Sequence, residues 1–143
     1  MSKQLLALIF IVTCGSALAQ VTPVGLWRSI DDQTSKPKAE IRITADASGV
    51  LTGVVEKSLT TESTTHCDLC TDDRKGKPKV GMEIIRGAKK AEGKEVWEDG
   101  KILDPENGKT YTLRLTPIEV GKKLEVRGSI AFFGRTQTWI RVQ

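Results

Sequence analysis

Apolar residues recur at every second position along most of this chain. Ile41 and Ile43 alternate with Glu40, Arg42 and Thr44, Tyr111, Leu113 and Leu115 with Thr110, Thr112 and Arg114, and Leu124 and Val126 with Lys123, Glu125 and Arg127. A period of two puts the apolar set on one face of a strand and the polar set on the other, as in a half-buried sheet. The pattern predicts strands at 25–30, 39–45, 50–57, 80–86, 94–103, 109–116, 122–128 and 136–142. The fifth can break at Asp99-Gly100, a pair suited to a two-residue hairpin turn, so the expected number is about eight and at most about ten. Ala47-Ser48-Gly49, Asp104-Pro105-Glu106-Asn107-Gly108 and Gly121 carry turn chemistry between the strands. Connections this short join antiparallel neighbours, because parallel strands need long crossovers. Residues 58–79 form the one long irregular stretch, a length usually reserved for functional or disordered loops.

The first and last predicted strands carry Gly25-Leu26-Trp27 and Trp139-Ile140-Arg141. They become neighbours only if the sheet closes on itself, which removes both exposed edges. Arg141 then lies over a tryptophan face at the seam, so Trp139 and Arg141 are expected to be structural. The fold class predicted is all-β, a single antiparallel barrel of about eight strands. No amphipathic helix, internal repeat or interdomain linker interrupts it.

The ends and the composition set the compartment. Lys3 precedes an apolar run from Leu5 to Val12, and Ala17-Leu18-Ala19 is a small-x-small cleavage site before Gln20. Residues 1–19 therefore read as an export signal, with residues 20–143 as one domain. The apolar run falls far short of the ~20 residues of a membrane-spanning helix. Cys14 offers a competing lipoprotein site, but Thr13 suits it poorly. Cleavage removes Lys3 from a chain of formal charge +4. The remaining positive charge is spread out, and its densest run, Arg74-Lys75-Gly76-Lys77-Pro78-Lys79, follows Asp72-Asp73 and reads as a solvated loop. With no stacking aromatics beside it, a nucleic-acid partner is not expected. The localisation expected is periplasmic or secreted, in a bacterium.

Cleavage also removes Cys14 and leaves Cys67 and Cys70. In an exported chain this pair reads first as a disulfide shaping the long loop. A redox-active pair and a metal site are the alternatives. The first lacks a βαβ context or a helix start to stabilise a thiolate; the second has only His66 beside it and would need further ligands from elsewhere. Asp31-Asp32, Asp104 and Glu106 read as turn-capping carboxylates, since neither segment has the regular oxygen ligands of a calcium loop. No Gly-x-Ser-x-Gly elbow accompanies the lone His66. No catalytic residue, metal or cofactor is implied.

The aromatics of the predicted domain are Trp27, Trp97, Tyr111, Phe132, Phe133 and Trp139, read first as core packing and second as the wall of a ligand cavity. Trp27, Trp97, Tyr111 and Leu113 are the candidate ligand contacts. The expected function is non-enzymatic binding of a small apolar or amphipathic molecule in the barrel mouth. One rival is an envelope interaction module that uses the 58–79 loop and the outer barrel face against a protein or the cell wall. A hydrolase or redox enzyme on the barrel rim is a weaker one. The pattern carries no signal for oligomeric state.

Longer motifs point to a family. Gly25-Leu26-Trp27, Asp31-Asp32, Lys36-Pro37, Cys67-x-x-Cys70 and Gly76-Lys77-Pro78 are followed by Trp97 and by Gly100 through Tyr111, within which stands Asp104-Pro105-Glu106-Asn107-Gly108-Lys109-Thr110-Tyr111. Leu124-Glu125-Val126-Arg127-Gly128 and Phe133-Gly134-Arg135-Thr136-Gln137-Thr138-Trp139-x-Arg141 complete the series. Through nearly the whole predicted domain the chain resembles the DUF2147 family of small exported bacterial proteins. That resemblance implies a lipocalin-like barrel and carries no established catalytic residue. Ser35 departs from it, standing where the family tends to show glycine.

Overall fold

A computed structural model describes residues 21–61 and 64–143. The expected export signal at 1–19 lies outside the described residues. Eight strands follow in order: β1 (Gly25–Ile30), β2 (Pro37–Ala45), β3 (Leu51–Ser58), β4 (Glu83–Lys90), β5 (Trp97–Asp104), β6 (Lys109–Ile118), β7 (Lys123–Ile130) and β8 (Phe133–Arg141). Each pairs antiparallel with the next, and β8 returns to β1 to close the barrel. Among the described residues no helix is long and apolar enough to cross a membrane.

Closure occurs where the two terminal motifs predicted it. Trp27 pairs with Arg141 and Arg28 with Ile140. The Arg141 guanidinium lies 4.1 Å from the Trp27 ring centroid. It also donates to the carbonyls of Gly121 (2.5 Å), Thr22 (2.6 Å) and Val24 (2.9 Å). A further, longer bond of 3.4 Å runs to Gln143 O, and burial pushes the guanidinium's pKa below its ordinary value. Trp27 completes the knot by donating its indole N–H to the Pro23 carbonyl at 2.7 Å. This end of the barrel is closed by packing: Trp27, Ile43, Ile85, Leu115 and Leu124 are all fully buried.

Two details of the strand prediction are corrected. Asp99-Gly100 does not make a hairpin. Trp97 faces Leu115 and Gly100 faces Leu113, so β5 holds one extra residue there, and Asp99 takes φ 63° in a bulge. The fourth strand starts later than the period-two reading at 80–86 and runs to Lys90, because β4 is bulged twice against β3. Leu51 and Thr52 face Ala88 and Arg86, leaving Gly87 extra, while Gly53 and Val54 face Ile85 and Glu83, leaving Ile84 extra. A bulge turns neighbouring side chains to one face, which is why Ile84 and Ile85 are both buried. Ser35, the departure from the family's glycine, takes φ 58° in the β1–β2 turn, a conformation glycine adopts without steric cost.

The long stretch between β3 and β4 is ordered as a small structure of its own. Cys67 and Cys70 are joined in a disulfide, and both are buried. Cys67 N–H donates to Lys77 O and Lys79 N–H to Thr65 O, so the segment folds back on itself. Arg74, expected to be solvated, is instead only 6% exposed. It forks onto Asp72 and donates to the Glu83 carbonyl at 2.8 Å, pinning the loop to the start of β4. Its neighbour Asp73 is held by Arg86 through two bonds of 2.9 Å.

Candidate functional site

At the end opposite the Trp27–Arg141 knot, the barrel interior stays open. The ends of β1, β3, β5 and β7 and the starts of the strands that follow them surround a cavity of about 190 Å³. Its lower wall is apolar, from Val55, Ile84, Ile102, Val126 and Trp139. Apolar cavities of roughly 150 Å³ hold a benzene-sized ligand, so this space suits one small molecule or the end of a longer one. Lys38, Asp104, Glu106, Tyr111 and Arg135 give the upper wall its polar groups. The disulfide loop contributes Lys79 and Val80, which makes it part of the wall.

The rim is an arrangement of opposed charges. Lys38 donates to Glu106 at 2.7 Å and lies 3.8 Å from Asp31. Burial disfavours its ammonium, but the hydrogen bond to Glu106 and the charges of Glu106, Asp104 and Asp31 outweigh that, and its pKa is raised. Arg135, at the start of β8, grips Asp32 through both carboxylate oxygens. That bond holds the Asp32 carboxyl below its usual range. Asp31 is lowered as well, chiefly by the Thr34 N–H and then by the Thr34 hydroxyl. Both are anions at neutral pH. The turn-capping role read from the sequence is visible too: Asp31 accepts from Gln33 and Thr34 N–H, and Asp104 from Glu106 N–H. Tyr111 accepts from the Asn107 side-chain amide at 3.1 Å, which ties its phenol to the β5–β6 turn.

Of the four side chains proposed as ligand contacts, Tyr111 lines the cavity. Trp27, Trp97 and Leu113 do not; they belong to the packed core, each at most 6% exposed. Trp139, expected to be structural, supplies the aromatic wall, with its indole N–H fixed on Gln137 at 3.0 Å. The aromatic reading is corrected at Phe132 and Phe133, which are not core residues but stand exposed at the β7–β8 turn. Lys38 and Arg135 were missed. Arg135 had one sequence signal, a charge in phase with the inward Trp139 of β8. Lys38 had none, since it shares the polar phase of Glu40 and Arg42 and is the extra residue of a bulge, between Ala39 facing Ser29 and Pro37 facing Ile30.

A protein-family model matches residues 25–141, and its description reads "Uncharacterized protein conserved in bacteria (DUF2147)". The chain belongs to the DUF2147 family. Among solved structures it is similar to protein HP1028 of the human pathogen Helicobacter pylori, described as belonging to the lipocalin family, with a TM-score of 0.72 and 19% identity over 86% of this chain and 84% of that one. At that identity the likeness establishes a shared lipocalin-like fold. No curated protein matches the chain.

The disulfide loop closes one side of the site, and its contribution can be measured separately from the barrel's. Replacing Cys67 and Cys70 together by serine should cost about 2 kcal/mol from the small ring alone, and far-UV circular dichroism should remain that of an intact barrel. A variant that loses the β spectrum would show that the disulfide holds up the whole fold.

Proposed function

We propose that this DUF2147 protein is exported and that it binds one small, partly apolar molecule in the barrel mouth, without chemical conversion. The cavity itself carries the reading: an apolar lower wall of Val55, Ile84, Ile102, Val126 and Trp139 beneath a rim of Lys38, Glu106 and Arg135. An amphipathic ligand fits such a gradient tail first, with its polar group among the rim charges. Burying about 200 Å² of apolar ligand surface supplies roughly 5 kcal/mol before ordering costs, so affinity from the lower wall alone is modest. Specificity then falls to the rim, where every incoming polar group competes with an existing ion pair. The ionised, partnered state of Asp31 and Asp32 suits anchoring better than proton transfer, which supports binding over catalysis. The buried disulfide favours an oxidising compartment.

The test is a fluorescence titration with fatty acids, isoprenoid alcohols and small aromatic acids. Trp139 is the tryptophan of the cavity wall, so a bound ligand should change its emission, and Trp139→Phe should remove that response while calorimetry still detects binding. Ala39→Phe, which adds a ring to the wall, should abolish binding by either readout. No heat and no fluorescence change with any of the three ligand classes would overturn the proposal.

A further inference from the structure

The two exposed aromatic side chains lie at the same end as the cavity, whereas Val120, 85% exposed, stands alone in the β6–β7 turn at the packed end. Phe132 is fully exposed, Phe133 is 82% exposed and Ile130 is 45% exposed. They form one continuous tip, since Ile130 pairs with Phe133 as the last rung of the β7–β8 ladder. Gly128 and Arg135, paired two residues below that rung, already line the cavity. At the ordinary strand rise the tip rung therefore stands about 7 Å above the cavity wall. Val80, on the opposite part of the rim, is 50% exposed as well. The tip defies two local rules at once: Ala131 takes φ 51° where glycine would be unstrained, and two phenylalanines face water. Val120 combines φ 54° with 85% exposure at the other end, so what sets this tip apart is its two adjacent exposed rings, which together make an apolar patch that a lone valine does not.

We propose that the β7–β8 tip is a lipid-surface anchor, in which Phe132 and Phe133 enter the headgroup–acyl boundary of a phospholipid bilayer and hold the barrel mouth against it. Area decides between a bilayer and a protein partner. Two phenylalanines present roughly 300–500 Å², well below the ~800 Å² per partner of a standard protein interface. The patch does not spread down the barrel wall, because Glu125, Arg127, Thr136 and Thr138 on the outer face of the same hairpin are exposed and polar. A narrow convex tip has little to offer a rigid partner, whereas an acyl phase needs no complementary shape. Charge is not the main attraction: Arg135 is already engaged by Asp32, which leaves the single guanidinium of Arg127, beside Gly134, as the cation near the tip. Attachment therefore rests on the rings and is little affected by salt. In this orientation the cavity opens toward the bilayer, and an apolar ligand passes between the two without crossing bulk water.

The inference goes beyond the cavity reading and is tested without any ligand, so either can fail alone. The predicted mature domain, residues 20–143, is sedimented with phosphatidylcholine vesicles and with vesicles also containing phosphatidylglycerol. The wild-type protein should pellet with both, and raised salt should leave binding unchanged. Phe132→Ser/Phe133→Ser should lower the partition coefficient by at least about ten-fold with an unchanged circular dichroism spectrum. Phe132→Trp gives a second readout that does not depend on losing binding: its tip indole should be quenched by lipids brominated in the acyl chain. Equal pelleting of wild type and double variant would overturn the proposal, as would an unquenched tip indole. So would a wild-type dimer in solution that the double variant converts to monomer, since the tip would then belong to a second copy of the chain.

Discussion

Arg141→Ala is expected to destabilise the barrel by about 3 kcal/mol, a large share of the ~5–15 kcal/mol that holds a domain together. The substitution removes a cation stacked on Trp27, a contact worth roughly 0.5–2 kcal/mol. It also removes charge-assisted hydrogen bonds to three carbonyls, each worth about 1.5–3 kcal/mol where water cannot replace it. Water can reach part of this end, which keeps the total below the sum. The carbonyls come from the segment before β1 (Thr22 and Val24) and from the β6–β7 turn (Gly121), so one side chain ties the entry to β1 to that turn. Arg141→Lys should recover less than half of the loss, because a single ammonium cannot fork across those acceptors. Urea unfolding of the three proteins measures it. A loss for Arg141→Ala within the ~1 kcal/mol of an exposed ion pair would mean the knot is not a stabilising element.

Gly108→Ala is the second large expectation, about 2–4 kcal/mol, and its effect should be local. Gly108 takes φ +71°, and a Cβ there would overlap the Leu69 carbonyl and come within 2.8 Å of the Cys70 nitrogen. The left-handed backbone costs an alanine about 1–2 kcal/mol, and forcing the disulfide loop off the β5–β6 turn adds about 1–3 kcal/mol. Gly49→Ala is the control, since Gly49 has φ +82° with nothing within 4 Å of the added atom. The difference between the two variants isolates the seating of the loop. Limited proteolysis should nick residues 64–82 in Gly108→Ala and spare them in Gly49→Ala. Equal stability and equal cleavage would show that the loop does not depend on that turn.

The architecture was legible because alternation and turn residues are local properties, and closure because two unusual motifs stood on the terminal strands. What escaped were features that interrupt the period. Asp99-Gly100 has the chemistry of a tight turn and of a bulge alike, and only the partner strand, with Leu115 and Leu113 two residues apart, decides between them. Ile84 and Ile85 are both buried through a bulge that alternation does not describe. The cavity wall was half legible for a related reason. Alternation assigns a side chain to a face but not to a height within the barrel. Tyr111 and Leu113 share an inward face, yet one lines the cavity and the other lies in the core. Trp27 and Trp97 belong near the starts of β1 and β5, at the packed end, whereas Trp139 reaches the cavity although β8 ends only two residues later. That offset comes from the stagger of strands round a closed barrel, which no single strand encodes.

The seam between β1 and β8 differs from the other seven junctions. Two registered pairs join β1 to β8, against eight between β7 and β8, and both lie toward the packed end. Above Arg28 the two strands run side by side without a ladder, and Arg135 crosses to Asp32 just beyond β1. Mechanically the molecule is a split sleeve rather than a uniform tube, welded at its base and fastened by one clasp at its lip. Girth at the lip can then change by unfastening a solvent-exposed ion pair, while every rung of the other seven junctions stays in place. A wall made this way can take occupants of different width at little elastic cost.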